Sequence, residues 1–183
     1  MRIVVLVVVI GWAAWGIFWL ASATKIKAGR SNWGALLVLR AVVAGIVLVV
    51  VLLTRGHHMT VSFSGPWLIG VGLTLWVAGL AVAVWARAYL GRNWGMPMTR
   101  KDQPDLVETG PYRFIRHPIY AGVILGLAGT ALATSVVGLI VVAVVAGYFI
   151  YSAFREERYL TGLFPDGYPA YKRATKMLVP FVF

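Results

Sequence analysis

The sequence predicts an all-α, polytopic membrane protein of about five transmembrane helices, the last two forming a hairpin. Three observations carry this. Hydrophobic residues fill 60% of the 183 positions and charged ones only 13%, about half the charge of an ordinary soluble domain. Mean hydropathy is +0.82. Apolar runs recur at lengths that cross a hydrocarbon core about 30 Å thick, and the basic residues gather between alternate runs.

The elements follow in order. The first span is expected over 3–21. Arg2 and the following Ala21-Ser22-Ala23 imitate a cleavable signal, but the apolar part exceeds the usual core of about 7–15 residues and holds Trp12, Trp15 and Trp19, so a retained span is expected. The second, 33–54, carries Arg40 seven residues past Trp33, roughly 10 Å into the span by helical rise. Its long side chain can snorkel to the nearer interface or reach a bound headgroup. The third, 66–89, has proline suitably in its first turn. The fourth, 118–133, is short, and Thr134-Ser135 joins it to the fifth, 136–154, which makes an antiparallel hairpin. Residues 1–86 thus form the N-terminal helices, and 87–183 hold the polar groups able to do chemistry.

Charge orients the stack. Lys25, Lys27 and Arg30, then Arg92, Arg100, Lys101, Arg113 and Arg116, then Arg155, Arg158, Lys172, Arg173 and Lys176 all fall on one face of a five-span protein. Arg2 and Arg55 fall on the other. The positive-inside rule places the N-terminus outside and the C-terminus in the cytoplasm, in the cell's inner or plasma membrane. The net charge of +11 therefore finds its partners in anionic lipid headgroups, and nucleic-acid binding is not expected. With no cysteine in the chain, disulfides, thiolate metal sites and a cysteine nucleophile are excluded. His57-His58 has no carboxylate beside it and reads as a solvated loop, so no metal is expected.

All six acidic residues, Asp102, Asp105, Glu108, Glu156, Glu157 and Asp166, belong to the cytoplasmic side. They lie in two blocks, 87–122 and 155–181, which the hairpin brings together. In "GPYRFIRHPIYAG" (110–122), His117 precedes Pro118 and is biased away from helical geometry, while Pro118 suits a helix start. Free amides of the first turn, reinforced by Arg113 and Arg116, favour an anionic group. Gly122 leaves room for a flat ring near the backbone, and Tyr120 could border the same pocket. Arg113, Arg116 and Tyr120 alone would pass for interfacial anchors. Glu156 and Glu157 tip the reading toward a site. At the end of the fifth helix they oppose its dipole and sit near low dielectric, a cost that a cationic ligand would explain. Being adjacent, they point about 100° apart, so one faces the pocket and the other pairs with an arginine or solvent.

These residues, with "REERYLTGLFPDGYPAYKR" (155–173) and a terminal "LVPF" (178–181), resemble the isoprenylcysteine carboxyl methyltransferase family and the wider group containing phospholipid methyltransferases. The resemblance covers roughly 87–181. It implies a membrane methyltransferase using S-adenosylmethionine, with cofactor-binding loops in the cytosol and a lipophilic or small acceptor bearing a carboxylate, thiol or amine. It places Arg116, His117, Pro118, Tyr120, Gly122 and an acidic residue of Glu156/Glu157 around the cofactor, with Tyr112, Tyr168 and Tyr171 closing the pocket. Arg40 and Arg155 are candidates for the acceptor. The chain departs from the prenylcysteine enzymes at Tyr151-Ser152-Ala153, where they carry an arginine, and at Phe164-Pro165-Asp166-Gly167, where they have Phe-Gly. The first departure weakens a prenylcysteine carboxylate as acceptor.

The implied chemistry is direct displacement at a methyl carbon, which gains from alignment and exclusion of water. A thiol or ammonium acceptor must first lose a proton, for which His117, Glu156 or Glu157 is the candidate base; His117 reads equally as a helix-start residue. The competing readings are a sterol-reductase-like membrane enzyme and a non-enzymatic protein binding anionic lipid. Gly122-xxx-Gly126 fits close helix packing, within the hairpin or between subunits, and oligomeric state stays open.

Overall fold

The computed structural model describes residues 2–22, 29–30, 41, 44–45, 65–94, 100–101, 105–135 and 137–183. The expected second span, 33–54, lies outside them apart from residues 41, 44 and 45, as do Arg40 and His57-His58. The helices are α1 (Arg2–Ser22), α2 (Pro66–Leu90), α3 (Pro118–Thr134), α4 (Gly138–Leu163) and α5 (Gly167–Ala174). Ile3–Ser22, Pro66–Asn93 and Gly138–Leu163 are long and apolar enough to cross a membrane, and α3 is a shorter apolar helix. The protein is helical and polytopic, as its composition predicts. The additions are a two-residue antiparallel pairing, β1 (Gly29–Arg30) with β2 (Arg100–Lys101), and one isolated parallel bridge, Ile115 with Lys176.

Small residues decide how the helices meet. Lipid tails give apolar helices no hydrophobic reason to associate, so close packing of backbones must supply the attraction. Gly72 and Gly79 of α2 face Gly122, Gly126, Gly129 and Ala133 of α3 in antiparallel order. A Cβ on Gly122 would stand 2.6 Å from the Gly79 carbonyl oxygen and 2.8 Å from the Ala83 nitrogen. The Gly122-xxx-Gly126 pattern thus faces α2 and α1 rather than the hairpin partner α4. It docks α3 on α2.

The α3–α4 hairpin turns between Thr134 and Gly138, with the Ser135 nitrogen donating to Ala131 and that of Gly138 to Ser135. It sets Tyr120 of α3 against Phe149 of α4. α1 runs parallel to α2, since Gly11 lies against Trp76 and the Ser22 carbonyl accepts from Arg87. Trp12 ties α1 to α3 through a 3.0 Å hydrogen bond to Thr130. The C-terminal ends of α1, α2 and α4 and the start of α3 therefore share one face.

Two expectations change. α4 continues to Leu163, nine residues beyond the expected end at 154, because leaving hydrocarbon does not end a helix. It ends instead at Phe164, whose successor Pro165 disfavours helical geometry. Glu156 and Glu157 accordingly lie about two turns inside the helix, so its dipole is not what their charges oppose. The second change is α5, a helix where a C-terminal tail is expected. Its first turn holds Pro169, its last holds Lys172 and Arg173, and Tyr168 and Tyr171 share its buried face.

Candidate active site

The site is built where the start of α3, the C-terminal turns of α4 and the C-terminal tail meet. Two backbone bonds fix the start of α3: the Arg116 nitrogen donates to the Lys176 carbonyl at 2.8 Å and that of His117 to Met177 at 3.0 Å. The tail then buries Met177 and Leu178 against Tyr120 and Ala153, inside the hairpin. Pro118 takes the first helical position, and His117 sits just outside at φ −124°, ψ 59°, its carbonyl accepting from Ala121. That is the non-helical geometry expected before proline.

Arg116 spans three elements. Its Nε donates to Glu157 Oε1 at 2.6 Å, and its Nη1 to the carbonyls of Thr175 and Lys172 at the end of α5. Lys172 Nζ approaches Glu157 Oε2 at 2.7 Å. Glu157, only 2% exposed, is therefore neutralised by two cations, as a carboxylate so buried must be.

Glu156 has a different environment. It is 25% exposed and accepts from the Tyr120 hydroxyl at 2.5 Å. The His117 imidazole lies between the two glutamates, Nδ1 3.7 Å from Glu156 Oε2 and Nε2 3.5 Å from Glu157 Oε1. Its ring is parallel to Tyr120 at 5.3 Å, and Tyr120 stacks on Phe149 at 4.5 Å. A ladder of three flat rings thus leads from the carboxylates into the hairpin.

Tyr112, in a 3-10 turn over Gly110–Arg113, and Tyr171 close the other side, with the Tyr171 hydroxyl donating to the Tyr112 carbonyl at 2.7 Å. Tyr168 is fully buried with its hydroxyl unpartnered. Burial foremost holds the hydroxyls of Tyr112, Tyr168 and Tyr171 well above the ordinary tyrosine range. All three stay protonated at any working pH, and so serve as donors and walls rather than as bases.

The structure brings Tyr112, Arg116, His117, Pro118, Tyr120, Glu156, Glu157, Tyr168 and Tyr171 into one cluster. It does not bring Gly122 or Arg155. Gly122, expected beside a ring, presses on Gly79 and Ala83 of α2, so the space its missing side chain leaves is already filled. Arg155, expected at the acceptor, is exposed and donates to the Tyr151 hydroxyl one turn back at 2.9 Å. Arg113 lies over Phe114, not in the anion-receiving position expected of it. Arg40 is outside the described residues. Sequence reasoning missed Lys172, Phe149 and the Thr175–Leu178 strip. Phe149, seven residues before Glu156 and so on the same helical face, was the one signal for the ladder. Among the described residues no three of His, Asp and Glu converge to hold a metal ion.

Fold and site together define a polytopic membrane protein with a polar cluster at one membrane face, built from a helical hairpin and its flanking loops. The chain belongs to the phospholipid methyltransferase family, whose model matches residues 67–167, from the start of α2 to the first residue of α5. It is similar to the cobalt-zinc-cadmium resistance protein CzcN of Cupriavidus metallidurans, 30% identical over 128 residues, covering 68% of this chain and 55% of that protein. Protein-S-isoprenylcysteine O-methyltransferase B of Arabidopsis thaliana is 29% identical over 120 residues, covering 63% and 61%. Methanethiol S-methyltransferase 1 of Bradyrhizobium diazoefficiens is 39% identical over 71 residues, covering 38% and 24%. The match covers less than two thirds of each relative's own length. The family resemblance read from the two sequence blocks is thereby borne out.

Proposed function

We propose that the protein transfers a methyl group from S-adenosylmethionine to a lipophilic or small acceptor at the cytoplasmic face of the membrane. The observation that carries this reading is the division of labour between adjacent carboxylates. Glu157 is buried and held by Arg116 and Lys172, whereas Glu156 reaches accessible space at the head of the His117–Tyr120–Phe149 ladder. A carboxylate beside stacked rings suits a ligand that combines a cation with a flat heterocycle. The bound cofactor would supply an electrophilic methyl carbon on positive sulfur.

The chain's own residues would then align and dehydrate. Glu156 faces the cation, Tyr120 holds Glu156 by its hydroxyl, and the ladder with Tyr112 and Tyr171 walls out water. For a thiol or ammonium acceptor, Glu156 or His117 would take the proton, the accessible carboxylate lying 3.7 Å from His117 Nδ1. A carboxylate acceptor would need no such step. Relatives whose names state O- and S-methylation leave both acceptor atoms open.

Equilibrium binding to the purified chain in detergent tests the reading. S-adenosylhomocysteine should bind saturably, and folded protein that shows no saturable binding would sink it. Glu156→Gln should weaken S-adenosylmethionine about tenfold, the size of one lost charge-assisted contact, and should weaken the uncharged-sulfur product less. Tyr120→Ala should weaken both ligands.

The orientation has its own test, because the chain has no cysteine. Gly162 is exposed with nothing within 4 Å of an added Cβ. Gly162→Cys should react with a membrane-impermeant maleimide in inside-out vesicles and stay unlabelled in right-side-out ones. The reverse pattern would invert the proposed topology.

A further inference from the structure

The tail beyond α5 has two parts. Thr175–Leu178 serves the site, through the carbonyls that hold Arg116 and His117. Val179–Phe183 makes no such contact and closes on itself. The Val179 carbonyl accepts from the nitrogens of Val182 at 3.2 Å and Phe183 at 3.0 Å, and the Leu178 nitrogen donates to Phe183 at 2.7 Å. The side chains of this lobe are left outside. Phe181 is the most exposed large apolar residue among those described, at 90%, and Val182 beside it is exposed at 74%. Phe181 is also the one described non-glycine residue with positive φ, 66°. That region is disfavoured for a bulky side chain, and a ring so exposed gains little contact within the described residues to offset it. A strained, apolar and outward residue points to a partner outside the chain.

The course of the tail says which partner. Ile115 and Lys176 bridge in parallel, so the tail runs the way the chain enters α3, toward the apolar layer. Met177 and Leu178 then pack with Tyr120, in the first turn of α3, and with Ala153, two residues before the first charge of α4 at Arg155. The lobe therefore begins where the charged helix ends give way to the apolar interior. Exposed Arg113 and Lys176 flank the bridge, with the half-exposed Phe114 beside them. Basic residues around an apolar, aromatic tip are the composition of an interfacial anchor. The lobe is too small for a stable subunit contact, which takes about 20 residues a side.

We propose that Val179–Phe183 dips into the bilayer at the boundary between headgroups and acyl chains, with the Phe181 ring and Val182 among the lipids. The lobe thereby ties to the membrane the strip that fixes the Arg116 and His117 backbone. The inference is independent of the methyl-transfer reading, because insertion needs neither cofactor nor acceptor.

Depth-dependent fluorescence quenching tests it. The chain has no cysteine, so Phe181→Cys carries a single nitrobenzoxadiazole label in the full chain, reconstituted into nanodiscs of phosphatidylcholine and phosphatidylglycerol. The label should be quenched severalfold more by lipid bearing a nitroxide near the headgroup than by lipid bearing one at the chain end. Aqueous iodide should quench it severalfold less than the same label on Gly162→Cys, at the exposed end of α4. If Phe181→Cys does not fold, Val182→Cys takes its place. Iodide quenching equal to that at Gly162→Cys would overturn the proposal. So would a label shielded from both quenchers, which would seat the tip against a second copy of the chain. Adding Phe181→Asp to Val182→Cys should open the label to iodide, and unchanged lipid quenching there would overturn Phe181 as the anchor.

Discussion

Arg116→Ala is expected to destabilise the protein by about 3 kcal/mol, the cost of leaving one partner of a buried ion pair uncompensated. Of its two permanent cationic partners Glu157 would keep only Lys172, whose side chain is 49% exposed against 7% for that of Arg116. The loss would not stop at the pair. The same guanidinium holds the carbonyls of Lys172 and Thr175 at the end of α5, and the strip that follows fixes the His117 backbone. A lower unfolding midpoint in mixed detergent micelles should therefore come with weaker S-adenosylhomocysteine binding in the folded fraction. Replacing both Arg116 and Glu157 by residues of similar volume, as in Arg116→Met with Glu157→Gln, should recover part of the stability and little of the binding. A single Arg116→Ala variant with an unchanged midpoint would show that Lys172 alone suffices, and that Arg116 is no keystone.

Gly122→Leu is expected to abolish assembly of the helical core. Its Cβ alone would sit 2.6 Å from the Gly79 oxygen and 3.0 Å from the Ala83 Cβ, and both neighbours belong to the rigid interior of α2. The helices must then separate, and the close packing that holds them together in lipid is lost along the whole Gly72–Ala83 face. The variant should elute as aggregate in gel filtration where the wild type is monodisperse. Gly147→Ala is the control: nothing lies within 4 Å of its added Cβ, and alanine in an exposed helix is favoured over glycine by roughly 0.5–1 kcal/mol. If Gly122→Leu folded and bound S-adenosylhomocysteine normally, α3 would not dock on α2 through Gly122.

The sequence determined the material and the neighbourhood. Apolar runs long enough to cross hydrocarbon specify membrane helices whatever their partners, and a short link between two of them brings "IRHPIY" (115–120) near "REER" (155–158). Proline before a helix and glutamates beside arginines are local signals, legible without a structure. Which glutamate does which task was not legible, because one residue of helical rotation separates a buried, doubly paired carboxylate from an accessible one, and only the position of α5 and the tail tells them apart. Gly122 shows the same limit. Glycine licenses close approach without saying to what, and the tertiary structure gives that space to α2 rather than to a ligand. Arg87 reads in sequence as one more basic residue at a helix end. Its burial between the Ser22 and Gly91 carbonyls and the Trp94 ring depends on α1 and α2 running parallel, a long-range arrangement that no local pattern encodes.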